Sequence, residues 1–303
     1  MKLWFKIFFY ISIIFLIITL IKEDYFIIPI VYNHKELLLS FSFLFLAFLF
    51  NTLAWTSVLR QANIHIPVSH GISSIGLSIF GKYIPGKVWI VLGRAEYISY
   101  KHNHPLREIT SLSVNNQLIS LWTGLLLGTI GLILINAFSV YSLGIIFVLL
   151  LLSLAIFTKF FHHVTELIIN SIFKKQIRFP KLSLFKTLAV IPWFFLNWLC
   201  WCIAFYFLSA SLMSEPVNIF AGLAFSLGGS LGILAVAMPG GLGVREGILV
   251  GYLSLTNIAP KMATTIAITS RLWFLVGEGF IFFLGLMLDK KKVRDKNPDK
   301  LDV

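Results

Sequence analysis

Runs of about twenty apolar residues recur along this chain from one end to the other, with only short gaps between them. A helix rises about 1.5 Å per residue, so each run is long enough to cross the hydrocarbon of a bilayer. Backbone groups in lipid must be satisfied within the segment, which leaves helices as the spanning element for runs of this kind. The pattern predicts an all-α integral membrane protein. Composition agrees, with 58% hydrophobic and 13% charged residues, about half the charge of an ordinary soluble domain. Residues 1–288 read as one polytopic transmembrane domain and 289–303 as a short basic cytoplasmic tail.

A formal charge of +12 raises nucleic acid as a partner, but the placement of the charge excludes it. Twenty of the 25 Lys and Arg fall at the N-terminus, in 59–108, in 159–186 and after 288. The other gaps hold only Lys22, Lys35 and Lys261. This alternation is the positive-inside pattern. It predicts a multi-pass protein of the plasma (inner) membrane with both termini cytoplasmic and the basic loops on anionic headgroups. Residues 1–21 have the basic start and apolar stretch of a signal peptide. No small-residue cleavage site follows, so they read as a retained first span.

Full spans are expected at about 4–21, 37–58, 109–135, 139–158, 186–210 and 262–288. Two further apolar stretches are interrupted. In 70–98, about eleven apolar-biased residues flank Gly81-Lys82-Tyr83-Ile84-Pro85-Gly86-Lys87 on each side. Eleven helical residues reach roughly 16 Å, half the hydrocarbon, so a re-entrant or in-plane hairpin entered from the cytoplasmic side is expected. In 217–258, a first limb up to Met238 is long enough to cross, and a second limb follows Gly247. Between them lies Pro239-Gly240-Gly241-Leu242-Gly243-Val244-Arg245-Glu246. This predicts a second broken hairpin, entered from the opposite face. Span, hairpin and span thus occur twice in opposite orientation, the arrangement of inverted repeats around a midplane site. Residues 160–178, with His162 and His163 among apolar positions, read as an interfacial amphipathic helix.

Gly81 to Lys87 matches the spacing of a phosphate-binding loop, but Val88 stands where Ser or Thr is required and no soluble strand–loop–helix unit surrounds it. A nucleotide site is therefore excluded. Two readings of the segment remain. Lys82, Lys87 and Arg94 hold a lipid phosphate, with Gly81, Pro85 and Gly86 shaping the loop, or the same cations anchor the hairpin to anionic lipid. In the second break, Pro239, Gly240, Gly241 and Gly243 form either non-helical backbone against a cavity or a turn at the bilayer surface.

The last span carries Arg271 and Glu278, seven residues apart and so on one helix face. A central charge costs about 2.5–3.5 kcal/mol on the lenient scale. Arg245, Glu246, Arg271 and Glu278 sum to zero, so mutual pairing inside the bundle is expected, as a structural network or as a translocation path. The third span begins with Ser111, Ser113, Asn115, Asn116, Gln117 and Ser120. These supply interhelical hydrogen bonds or line the same cavity, the first being the commoner case. Cys200 and Cys202, two apart on a helix, point to different faces and read as buried thiols. No metal or cofactor motif appears.

Gly81-Lys82-Tyr83-Ile84-Pro85-Gly86-Lys87-Val88-Trp89 with Gly93-Arg94, and Pro239 to Gly247, resemble the two signatures of the lysylphosphatidylglycerol synthase/flippase transmembrane family. Arg271 is similar to its pattern too, and the resemblance covers about 5–288. It implies a flippase-type membrane domain handling charged or glycosylated lipids, as a standalone member without the aminoacyl transferase domain. Asn115 and Asn116 stand where many members have an acidic residue. The resulting expectation is a lipid translocase, not an enzyme. It moves a phospholipid, a glycolipid or a polyprenyl-phosphate-linked sugar between leaflets in envelope or glycan biogenesis. The alternatives are a membrane partner of a polyprenyl-dependent glycosyltransferase, or such an enzyme itself. Glu23-Asp24 resembles the early acidic loop of those enzymes, although the outer loops here are shorter.

Overall fold

The computed structural model describes residues 29–84, 88–136, 140–157, 183–235 and 239–293. The expected span at 4–21, Glu23, Asp24, the stretch 160–178 and the end of the tail lie outside the described residues. Within them, every regular element is helical. The described residues form nine α-helices: α1 (His34–Gln61), α2 (Val68–Ser78), α3 (Val88–His102), α4 (Leu106–Asn136), α5 (Val140–Phe157), α6 (Leu184–Ser211), α7 (Ala224–Leu234), α8 (Val244–Leu255) and α9 (Pro260–Val293).

Local sequence sets the helix ends. The Asn33 side chain accepts from the Lys35 and Glu36 amides at 3.1 and 3.4 Å and so starts α1. Asn63, Asn103 and Asn257 follow the ends of α1, α3 and α8 in left-handed conformation, which asparagine tolerates better than other side chains. Pro260 opens α9, where a missing N–H costs nothing. Among the described residues four helices are long and apolar enough to span a membrane: His34–Gln61, Leu106–Ile135, Leu184–Ser211 and Pro260–Asp289. The expected span at 139–158 is α5, with 18 residues and a length of about 27 Å. Large apolar side chains such as Phe147, Phe185, Phe283 and Met287 point outward, as a lipid-facing exterior requires.

Both interrupted stretches are broken hairpins. The first is α2, a 3₁₀ turn at Ile79–Tyr83, and α3. The second differs from expectation in its first limb, which is no single crossing helix. A 3₁₀ turn at Ile219–Leu223 leads into α7, and α7 stops at Leu234. Gly222 explains the irregular start, because it lies so close to the Cys202 carbonyl of α6 that a Cβ would collide with it. The second limb is α8.

The helices form two units of matching make-up. In the first, helices of 28, 11, 15 and 31 residues follow one another as α1, α2, α3 and α4. In the second, α6, α7, α8 and α9 have 28, 11, 12 and 34 residues. Helices α1 and α6 pack along their length as an antiparallel central pair. Tyr32 donates its amide to the Ser211 carbonyl at 2.9 Å, and Ser40 donates its hydroxyl to the Ala204 carbonyl at 2.7 Å. Hairpin one follows the end of α1 and hairpin two the end of α6, so the two are entered from opposite ends of this pair. The units interlock: α2 packs on α9, and α7 packs on α4. Small residues permit both contacts. A Cβ on Gly76 would strike the Ile281 carbonyl, and one on Gly128 would lie 2.8 Å from the Leu227 backbone. An aromatic core of Phe48, Trp198, Trp201, Phe205, Phe225, Trp273 and Phe274 joins α1, α6, α7 and α9.

Candidate functional site

The two helix breaks touch each other. Gly240, at φ 59°, lies against the Tyr83 ring, whose carbons would stand 3.0 Å from a Cβ at that position. Gly241, at φ 72°, presses on the Gly232 backbone at 2.8–3.1 Å from such a Cβ. Left-handed backbone and absent side chain are both needed here, which accounts for the two adjacent glycines. Gly81 approaches the first turn of α3 as closely, 2.9 Å from the Ile90 nitrogen by the same measure. Gly243 precedes α8, and Pro239 opens a third 3₁₀ turn, Pro239–Gly241. Pro85, Gly86 and Lys87 lie outside the described residues.

The buried charges gather around this junction. Lys82, at the end of the first break, pairs with Glu278 of α9, whose side chain is 0% exposed. The neighbouring Tyr83 hydroxyl donates to the other Glu278 oxygen at 2.8 Å. The Lys82 ammonium also lies 4.6 Å from the Phe274 ring centre. Arg271 pairs with Glu246 at 2.9 Å and donates to the Gly240 carbonyl at 2.9 Å, which ties α9 to the second break. Glu246 in turn accepts from the Gly243 amide at 2.9 Å and caps α8. The expected mutual pairing is therefore present in altered form. Glu278 pairs with Lys82 of the other unit instead of a member of the expected quartet.

Two arginines have neutral described partners. Arg94 is buried, donates to the Ser113 hydroxyl and carbonyl at 2.5 and 2.6 Å, and lies over the Trp55 ring at 5.0 Å. That burial excludes the reading of Arg94 as an anchor on surface lipid. Arg245 donates to the Ser270 hydroxyl at 3.1 Å and lies between the Phe225 and Phe274 rings, at 4.9 and 5.3 Å.

A cavity of about 200 Å³ opens between these groups. Among the described residues three cations line it, Lys82, Arg94 and Arg245, and no carboxylate does. The amides of Asn51, Asn116 and Gln117 contribute polar groups, and Trp198, Trp201, Phe225 and Phe274 contribute aromatic wall. Arg245, expected on the translocation path and not among the phosphate-binding cations, shares one chamber with Lys82 and Arg94. Glu246, Arg271 and Glu278 do not line the chamber; they hold the residues that do. The polar start of α4 serves both expected purposes. Ser113 bonds to α3, donating to the Val91 carbonyl at 2.9 Å, while Asn116, Gln117 and Ser120 face the cavity. Asn51 and the two tryptophans carry no sequence signal that separates them from ordinary core.

Among the described residues, four long apolar helices, two broken hairpins and an apolar exterior define a polytopic α-helical membrane protein with an internal cationic chamber. A family profile described as the lysylphosphatidylglycerol synthase TM region matches residues 9–277. The chain belongs to that family, whose transmembrane region is a lipid-related, flippase-like membrane domain. No curated protein and no solved structure matches the chain.

Proposed function

We propose that the protein moves a lipid with an anionic headgroup between the leaflets of its membrane. The observation that carries this reading is the chamber at the junction of the two breaks, lined among the described residues by Lys82, Arg94 and Arg245 and by no carboxylate. An unaccompanied phosphate cannot cross hydrocarbon, because an ion leaving water loses tens of kcal/mol of solvation in a medium of low dielectric constant. Fixed cations replace that solvation along the route. The Arg94 fork offers paired donors to phosphate oxygens, and Lys82 acts as a point charge. Acyl chains remain in lipid while the headgroup passes through protein. Glu278 balances Lys82, and Glu246 balances Arg271, when the chamber is empty. Downhill flow, a gradient or a coupled pathway drives the movement.

Reconstitution of the full chain into liposomes with a leaflet-specific assay of labelled phosphatidylglycerol tests the proposal. Arg94→Ala combined with Arg245→Ala is expected to slow movement at least ten-fold, since each arginine contributes a charge-assisted contact of roughly 1.5–3 kcal/mol. Equal rates for the wild type and the double variant would sink the assignment.

A further inference from the structure

Lys82 stands between the chamber and a buried acid. It lines the cavity and pairs with Glu278, whose side chain is 0% exposed and lies outside the lining. Arg94 and Arg245 are buried and held by hydrogen bonds to Ser113 and Ser270, whereas the Lys82 side chain is 23% exposed on a flexible stem. Lys82 and Arg245 also crowd one ring, at 4.6 and 5.3 Å from the centre of Phe274. An anion entering the chamber relieves the repulsion between them. Charge at Glu278 is set by few neighbours. The first break presents Lys82 and the Tyr83 hydroxyl. Arg245 and Glu246 of α8 and Arg271 of α9 act on Tyr83 from its other side. The contacts of α9 with its other neighbours at this level carry no charge: Leu44 and Phe48 of α1 against Gly277, the Ile281 carbonyl against Gly76 of α2, and Trp201 of α6 against Phe274.

We infer that the protein couples movement of the anion to a proton carried on Glu278: the phosphate draws Lys82 away, and the carboxylate takes up a proton in its place. This deepens the translocase proposal and rests on its reading of the chamber as the route of an anionic headgroup. One ammonium cannot neutralise a phosphate and a carboxylate together, and the Tyr83 hydroxyl that remains on Glu278 is neutral. A buried carboxylate without a countercharge is costly and becomes neutral by binding a proton. The departure of Lys82 also opens Glu278 to the chamber, because Lys82 is the group that separates them. The proton comes from water on the side where the headgroup enters and forms an O–H bond at the carboxylate oxygen that Lys82 held. It returns to water on the far side when the anion leaves and Lys82 pairs with Glu278 again. A phosphate diester carries a single negative charge, so anion and proton cross together with no net charge. A pH gradient then drives the movement, and the membrane potential does not.

Calorimetric titration of the full chain in detergent, with dioctanoyl phosphatidylglycerol as the probe, tests the inference separately from movement. Heats measured at one pH in two buffers of different ionisation enthalpy read the protons taken up per lipid bound. Uptake of about one proton is expected, with affinity tightening by up to about ten-fold for each pH unit lowered. Glu278→Gln imitates the protonated acid. It is expected to bind without proton uptake, with no such pH dependence, and as tightly as the wild type does in acid, since no carboxylate competes for Lys82. A merely structural Glu278 would give weaker binding instead. No proton uptake by the wild type, or equal uptake by Glu278→Gln, overturns the inference. Should Glu278→Gln fail to fold, the wild type in liposomes decides. Relative to protein-free liposomes, an imposed pH gradient is expected to gather labelled phosphatidylglycerol in the leaflet facing the alkaline side, and a potassium diffusion potential to leave it evenly spread. Redistribution by the potential and not by the gradient overturns the coupling. Proton uptake on binding without movement in liposomes keeps the linkage of anion to proton and overturns translocation, and movement without proton uptake does the reverse.

Discussion

Glu278 sits fully buried in a helix that crosses the bundle, and both groups that hold it there come from the first break, Lys82 and Tyr83. Removing one member of a buried pair strands the other, at a cost of about 3–5 kcal/mol for complete burial; Lys82 is 23% exposed, so about 2–3 kcal/mol is expected for Glu278→Gln. Thermal melting in detergent measures this, and a wild-type melting temperature would refute it. Lys82→Met with Glu278→Met removes both charges and is expected to recover most of the stability without recovering lipid movement. Arg94→Lys keeps the charge but loses the paired donors to Ser113 and the planar contact with Trp55. It is expected to slow movement at least ten-fold and to lower the melting temperature, because the buried Ser113 acceptors lose their donors. The charges themselves were legible in the sequence, because an ionised residue in an apolar run is rare and costly. Their partners were not. Nothing local to Arg271 and Glu278 indicates that the second of them reaches Lys82 across the two units. Nor does anything local distinguish Trp201 at a cavity wall from Trp55 in packed core.

At the level of elements, glycine carries the architecture where two backbones meet. Gly240→Ala forces a side chain into left-handed backbone, costing about 1–2 kcal/mol, and into the Tyr83 ring. It is expected to lower the melting temperature and to disturb the junction of the breaks. Gly76→Val is expected to be worse, since its contact is the Ile281 backbone of α9, which cannot rotate away. Gly144→Ala is the control: a Cβ there meets nothing within 4 Å, and a helical Gly→Ala exchange gains up to about 1 kcal/mol. Melting temperatures should rise from Gly76→Val through Gly240→Ala to Gly144→Ala, and a Gly76→Val protein as stable as Gly144→Ala would contradict the close approach. Both breaks were legible, because glycine and proline clusters interrupt otherwise apolar runs. The short first limb of hairpin two was not. Residues from 217 to Met238 are almost uniformly apolar, and the turn at Ile219–Leu223 is dictated by the close approach of Gly222 to α6.

Across the whole molecule, the opposite insertion of the hairpins is the property most open to direct test. Tyr100, 86% exposed near the outer end of hairpin one, and Ile219, 72% exposed at the outer end of hairpin two, each accept a cysteine without loss of packing. In membrane vesicles, an impermeant maleimide is expected to label Tyr100→Cys from one side and Ile219→Cys only from the other. Labelling of both from the same side would overturn the arrangement. The inversion could be read from charge, because Lys and Arg mark alternate loops with no need of tertiary information. The interlocking could not, because α2 on α9 and α7 on α4 are contacts between distant parts of the chain. The lone helix α5 between the units gains its meaning from counting. A hairpin that leaves by the side it entered adds no crossing, so α1 and α4 together return the chain to its starting side. One more passage, α5, makes the number odd, and α6 then begins facing the other way. Parity alone makes the second unit the upside-down counterpart of the first, and excising that single helix would set both units in the same orientation and leave neither with the partner surface it packs against.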